Sequence, residues 1–340
     1  MTGLLMPAEW EPHEACMLAW PPHASLWGES FADVEREYAA IVRAIAAFEP
    51  VTVLVLPGQA ERVRALCEVD ITTVDIPMDD AWLRATGPIV VHGPEGRIGV
   101  DFRYNSFGER FHPYAQDDRI TERLLPVLGI DRRATMTVLE GGAISVDGEG
   151  TLIATEQCVL NANRNPRLGR ADVEAEFEAL LGATKVIWLP YGHLAGDTDG
   201  HVDHVCQFIA PGRVLVEACG DAARPDHARL KANRAVLEAA TDAAGRSLEI
   251  LELPPQQPVR VHGQDAVVNY MNFYIANGAV VMPLAGTSRD DEALEAAAKA
   301  FPDHRVVGVE ATTLATGDAG IHCITQQLPA PRPAAGATGR

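Results

Sequence analysis

The sequence predicts a mixed α/β domain, and three observations carry that prediction. Apolar residues recur at helical spacing in long amphipathic stretches, short β-branched runs lie between them, and neighbouring runs also meet at hairpin turns. Hairpins beside strand–helix–strand units disfavour a doubly wound parallel sheet. In chain order, "DVEREYAAIVRAIAAF" (33–48) reads as a helix and leads into the strand "VTVLVLP" (51–57). The segment "VLEGGAISVDGEGTLIAT" (138–155) reads as a strand ending at Glu140, two glycines and an Asp-Gly hairpin. A second helix, "RADVEAEFEALLGA" (170–183), precedes the strand "VIWLP" (186–190). "HVCQFIAPGRVLVEAC" reads as two strands joined at Pro211-Gly212. Further runs follow at 248–254, 278–286 and 305–311. The last two flank a helix over 288–301, which Ser288 and Asp291 open in the manner of a capping box and Pro302 follows.

The order helix, strand, irregular polar stretch, hairpin recurs loosely, which hints at repeated units sharing one core. No low-complexity linker divides the chain, so one compact domain is expected over residues 1–329, with the Pro/Ala/Gly-rich tail 330–340 disordered. A composition of 47% hydrophobic and 22% charged residues is that of a globular protein. A net charge of −19 would repel a phosphate backbone and attract small cations, which argues against nucleic acid and for a basic substrate. No run approaches the roughly 20 apolar residues of a membrane span, and "MTGLLMPAEWEPHEAC" lacks the pattern of a secretion signal, so a cytoplasmic protein is expected. The six cysteines are scattered without a C-x-x-C pair, which disfavours a disulfide framework or a structural zinc site.

Three stretches carry chemistry. In "GDTDGHVDHVCQF" (196–208), histidines and aspartates are dense enough for a metal site, an acid/base pair or a solvated turn. If the chain is a strand here, the period of two puts His201 and Asp203 on one face and His204 on the other, which favours a histidine–carboxylate pair over converging metal ligands. In "GDAGIHCITQQLP" (317–329), glycines deliver His322 and Cys323 just before a strand-like run, and Cys323 reads as either a nucleophile or a buried thiol. Glu140, at the end of a buried strand, requires a cationic partner from the protein or a ligand.

"MPAEWEPHEA", "DDAWLRATGP", "LEGG" with "VDGEGT", "NRNP", "DTDGHVD", "NFYIANGAVV" and "IHCITQQ", in this order from Met6 to Pro329, together resemble the agmatine deiminase family, which includes the bacterial peptidylarginine deiminases. The resemblance implies a pentein α/β propeller, five ββαβ-type units around a pseudo-fivefold axis, and hydrolysis of agmatine to N-carbamoylputrescine and ammonia. It implies Cys323 as nucleophile, His201 as general acid/base, and Glu140 and Asp203 as the carboxylates that hold the guanidinium. It further implies a channel lined by Trp82, with Asp80, Arg84, Phe107 and Asp197 on the substrate side. No metal or organic cofactor is implied, and the partners are a small cationic guanidine substrate and further copies of the chain, with neither nucleic acid nor membrane.

One position departs consequentially. The family motif carries an aspartate that grips the guanidinium where this chain reads "WLRATGP", with Ala85. Losing one charge-assisted hydrogen bond costs about 1.5–3 kcal/mol. Three explanations stand side by side: an introduced substitution, replacement by Asp79, Asp80 or Asp197, or a substrate that needs fewer carboxylates. A related amidine hydrolase or a silent agmatine-binding homologue are the corresponding alternatives. Milder departures are Phe107, where a tryptophan is usual, and Asp318 and Ala319 in a loop usually richer in glycine.

Overall fold

The computed structural model describes residues 3–332, so most of the tail expected to be disordered, 333–340, lies outside the described residues. Five mixed sheets and a separate two-stranded hairpin organise the chain. Four of the mixed sheets share one pattern, in which two strands pair antiparallel through a short turn and a helix then returns the chain to a third, parallel strand. Ile89–Gly93, Gly96–Arg103 and Asp131–Val138 form the first. Ile144–Val146, Thr151–Thr155 and Lys185–Leu189 form the second. Cys206–Ala210, Arg213–Glu217 and Glu249–Leu253 form the third. Tyr274–Ala276, Ala279–Leu284 and Arg305–Glu310 form the fourth. The fifth joins the chain's ends: Thr325–Pro329 pairs antiparallel with His13–Ala19, which lies parallel to Val51–Val55, itself parallel to Thr72–Asp75.

The connecting helices form where the apolar periodicity predicts them, at Phe31–Ala46, Arg170–Leu181 and Asp290–Ala300. Val34, Tyr38, Ile41, Val42 and Ile45 of the first are wholly buried against the sheet that joins the chain's ends. Two local expectations change. The helix expected from 288 has Arg289 at its N-cap with no side-chain cap, because Asp290 bonds back to the amides of Ala285 and Thr287 at 3.0 and 3.1 Å and fixes the entry one residue later. The strand expected through His201–His204 begins only at Cys206, and residues 202–204 form a 3₁₀ turn. Tertiary bonds decide that turn: Thr155 Oγ1 donates to the Gly200 carbonyl at 2.6 Å, and Asp203 is held by residues from two distant segments. The Pro211-Gly212 hairpin forms as expected, with Gly212 at φ +71°.

Candidate active site

The motifs that stand apart in sequence arrive together at loops between the sheets. A cavity of about 540 Å³ is lined by Trp27, Asp80, Trp82, Arg84, Ala85, Phe107, Asp197, His201, Asp318 and Cys323, among others. Every substrate-side residue expected from the sequence, Trp82, Asp80, Arg84, Ala85, Phe107 and Asp197, therefore faces one cavity with Cys323 and His201. Glu140 and Asp203 lie one layer behind, each 1% exposed.

Cys323 sits in a single helical turn, Ile321–Ile324, that opens at Gly320, and its backbone N–H donates to Asn272 Oδ1 at 3.1 Å. Its sulfur lies 4.0 Å from Asp203 Oδ2 and 3.6 Å from His204 Nε2. Burial, with the negative charge of Asp203 beside it, pushes the Cys323 thiol up. A thiolate here requires a neighbouring cation.

Asp203 is held from behind. Its Oδ2 accepts from His322 Nδ1 at 2.8 Å and from Asn272 Nδ2 at 3.3 Å, and His322 Nε2 in turn contacts both oxygens of Glu9 at 3.0 Å. Arg84 Nη1 donates to Glu9 at 3.2 Å and to Gln327 at 2.6 Å. Burial alone would raise these carboxylates, but His322 and Arg84 overcome it at Glu9, bringing it down to about 2, and His204 with His322 hold Asp203 below its usual range. Burial and Arg84 oppose the charge on His322, and Glu9 and Asp203 prevail, so its pKa rises. Asp203 Oδ1 is left buried and without a hydrogen-bond partner, as is His201 Nε2. Two unmet buried polar atoms on neighbouring side chains are unfavourable without a ligand to satisfy them.

His201 lies between two carboxylates, with Nε2 3.8 Å from Glu140 and Nδ1 3.9 Å from Asp203. Burial opposes its charge, yet Cys158, Glu140 and Asp203 together raise it to about 10, which favours the imidazolium. The cationic partner that Glu140 requires is Arg164 of "NRNP", whose Nε donates to it at 2.8 Å. Both side chains are 1% exposed, and removing one partner of such a pair costs about 3–5 kcal/mol. Arg164 also bonds Asp199 at 2.6 Å, and Arg110 bridges Asp199 and Asp197 at 2.9 and 3.0 Å. Asp197 thus enters the cavity wall already paired with a cation.

The two glycines of "LEGG" exist for close approach. A Cβ on Gly141 would stand 2.5 Å from the Arg84 carbonyl, and one on Gly142 would stand 2.6 Å from His201 Nδ1 and 2.8 Å from Asp203 Oδ2. Ala85 packs with Tyr104 and Phe107 as an apolar wall, and the Phe107 ring meets His201 edge-on at 5.9 Å. Of the carboxylates weighed as replacements at this position, Asp80 and Asp197 line the cavity and Asp79 does not. Asp80 is raised to about 6 by burial.

Donor atoms of Asp203, His204 and Cys323 lie within 4.8 Å of one another, and those of Glu140, Cys158 and His201 do likewise. Each trio's carboxylate already faces a cationic side chain, His322 or Arg164, which opposes a metal ion at either place. Sequence reading missed Glu9, Asn272, His322 and His204 as members of the site. His204 was assigned to the opposite face by strand periodicity, and the 3₁₀ turn brings it to the sulfur instead.

The matching family model, Porphyromonas-type peptidyl-arginine deiminase, spans residues 5–329. An agmatine deiminase of Pseudomonas aeruginosa is 40% identical, over 98% of this chain and 97% of that one. One of Medicago truncatula is 38% identical, over 96% and 97%. The solved agmatine deiminase of Enterococcus faecalis superposes with a TM-score of 0.92 at 33% identity, covering 96% of each chain, and the two share the α/β pentein fold. This chain belongs to the Porphyromonas-type peptidyl-arginine deiminase family.

Proposed function

We propose that the protein hydrolyses agmatine to N-carbamoylputrescine and ammonia, with Cys323 as the nucleophile. The observation that carries the reading is the cluster at Cys323, whose sulfur lies 4.0 Å from Asp203 Oδ2, while Asp203 Oδ1 and the neighbouring His201 Nε2 are buried without a hydrogen-bond partner. A guanidinium carbon is a weak electrophile because its charge is delocalised. Carboxylates hold the cation in plane while the sulfur attacks from above. Asp203, ionised and fixed through His322, supplies one acceptor directly, and Glu140, fixed by Arg164, supplies charge from behind His201. The cation also offsets the cost of a thiolate beside Asp203.

In the first half of the reaction the sulfur bonds to the guanidinium carbon. The C–N bond then breaks, and the departing nitrogen keeps its electron pair and takes a proton from His201. In the second half His201, now neutral, takes a proton from water as the oxygen bonds to carbon, and the C–S bond breaks with its pair returning to sulfur. Trp82 presents a flat indole to the methylene chain and Asp197 an acidic wall toward the far ammonium, with Asp80 and Arg84 bounding the channel.

The strand pattern shared by four mixed sheets, with the fifth sheet adding an antiparallel pair and a parallel strand from the chain's two ends, supports a reading as five ββαβ units around a pseudo-fivefold axis, with residues 1–329 as one catalytic domain. A homo-oligomeric enzyme of the cytoplasm is part of the same reading. No helix of the described residues is long and apolar enough to cross a membrane. The test is ammonia release from agmatine by the purified protein, with Cys323→Ala expected to abolish it and chelators to leave it unchanged. Turnover that survives Cys323→Ala refutes the covalent route.

A further inference from the structure

We propose that His204 is the base that takes the proton of Cys323, so that the site divides its acid and base work between two histidines; this rests on the reading of Cys323 as the nucleophile. His204 Nε2 lies 3.6 Å from the Cys323 sulfur, within reach of a sulfur hydrogen bond. Among the described residues no hydrogen bond joins His201 to that sulfur, and its ring nitrogens lie instead against Glu140 and Asp203. The step is a transfer within the pair: the S–H bond breaks, an N–H bond forms at Nε2, and a thiolate stands beside an imidazolium with no change in net charge.

The surroundings suit each ring to a different task. Burial holds His204 below the ordinary histidine range, which favours its neutral ring, whereas Cys158, Glu140 and Asp203 overcome burial at His201, raise it to about 10 and favour its imidazolium. Two titratable groups pushed apart by their environments are what separate acid and base roles require. Five groups face His204. Asp203, 3.8 Å away, and Asp318 favour its protonated form. His201 opposes it, as does His193, whose ring lies 6.3 Å off and whose Nε2 is paired with Glu217 at 2.6 Å. The fifth is the thiol itself. A cation formed at Nε2 would also screen the new thiolate from Asp203, which otherwise opposes it.

The experiment measures the pH dependence of Cys323 alkylation by iodoacetamide, with peptide mass mapping to separate Cys323 from the half-exposed Cys219, beside kcat/KM for agmatine. In His204→Gln, alkylation near neutral pH is expected to fall by about a hundredfold, in line with the loss of a general base. It should recover as the solution becomes alkaline enough to ionise the thiol directly. His193→Gln touches neither the sulfur nor the cavity lining. By removing a charge that keeps His204 neutral, it should move the acid limb of the alkylation profile to higher pH. Unchanged profiles in both variants overturn the proposal. Alkylation that depends on His204 in a protein without agmatine turnover upholds the pair and instead removes the substrate assignment.

Discussion

At the scale of single residues, Asp203 shows how a buried carboxylate is given a direction. One of its oxygens is saturated by His322 and Asn272 and the other is left open. The imidazolium between Glu9 and Asp203 makes this affordable, since each anion lowers the cost of burying the other's partner. Ala85 is the opposite case, a methyl group in an apolar wall with Tyr104 and Phe107, at the position where the sequence resemblance implies a carboxylate. A carboxylate there would add a charge-assisted hydrogen bond to the cation. Ala85→Asp is therefore expected to raise kcat/KM for agmatine by about tenfold or more. Steady-state kinetics of the two proteins check this, and equal or lower efficiency in the variant would show that the wall no longer meets the guanidinium.

At the scale of elements, short irregular turns rather than long helices or strands do the positioning. Glu140 precedes a 3₁₀ turn that contains Gly142, His201 precedes another, and Cys323 lies in a helical turn of four residues. The loop that carries Phe107 runs through left-handed backbone, with Ser106, Phe107 and Glu109 at φ +54°, +56° and +62°. Such residues each cost about 1–3 kcal/mol and persist only where the surroundings fix them. Here the Gly108 amide donates to Asn105 Oδ1 at 2.9 Å, and the Phe107 ring wedges between Tyr104 and His201. Because Gly142 abuts both His201 and Asp203, Gly142→Ala must displace one of them. Its kcat is expected to fall at least about a hundredfold, given how steeply rates depend on ångström-scale placement. Circular dichroism should remain that of the native fold, and near-native kcat would mean the two side chains give way without consequence.

At the scale of the whole molecule, the fifth sheet matters most. Its first two strands come from opposite ends of the chain, so Cys323 stands directly before the strand that closes onto His13–Ala19. Stability also depends on charges far from that seam. Asp117 accepts the backbone N–H groups of Asp79 at 2.7 Å and Asp80 at 3.2 Å, tying the "DDAW" segment in place, and burial raises it from 3.8 to about 8. A carboxyl raised on folding contributes stability that is fully present below pH 3.8 and lost as the pH rises through about 8. Asp117→Asn keeps an acceptor oxygen and removes the ionisation. Its melting temperature should exceed that of the native protein at about pH 9, by about 2 °C or more, and the gain should shrink toward about pH 5. Thermal unfolding across that range checks it, and a gain independent of pH would place the effect elsewhere.

The mixed α/β character, the long helices, the Pro211-Gly212 hairpin and the motif order were legible in the sequence, because periodicity and turn residues act over a few positions. Spacing alone pointed to a His201–Asp203 pair, to a cation beside Glu140 and to Cys323 as either nucleophile or buried thiol, and the resemblance of ordered motifs is what implied their roles in one site. What the chain alone left undecided was set by contacts between distant segments. His204 turned toward the sulfur because Thr155 and Asn269 hold the backbone carbonyls of Gly200 and His204 while His322 and Asn272 hold the Asp203 side chain, against the local period of two. The partner of Glu140 came from Arg164, and Glu9 reached His322 across more than three hundred residues. Local pattern determines which elements form. The roles of buried charges follow from which opposite charge the packing delivers, and only the assembled core decides that.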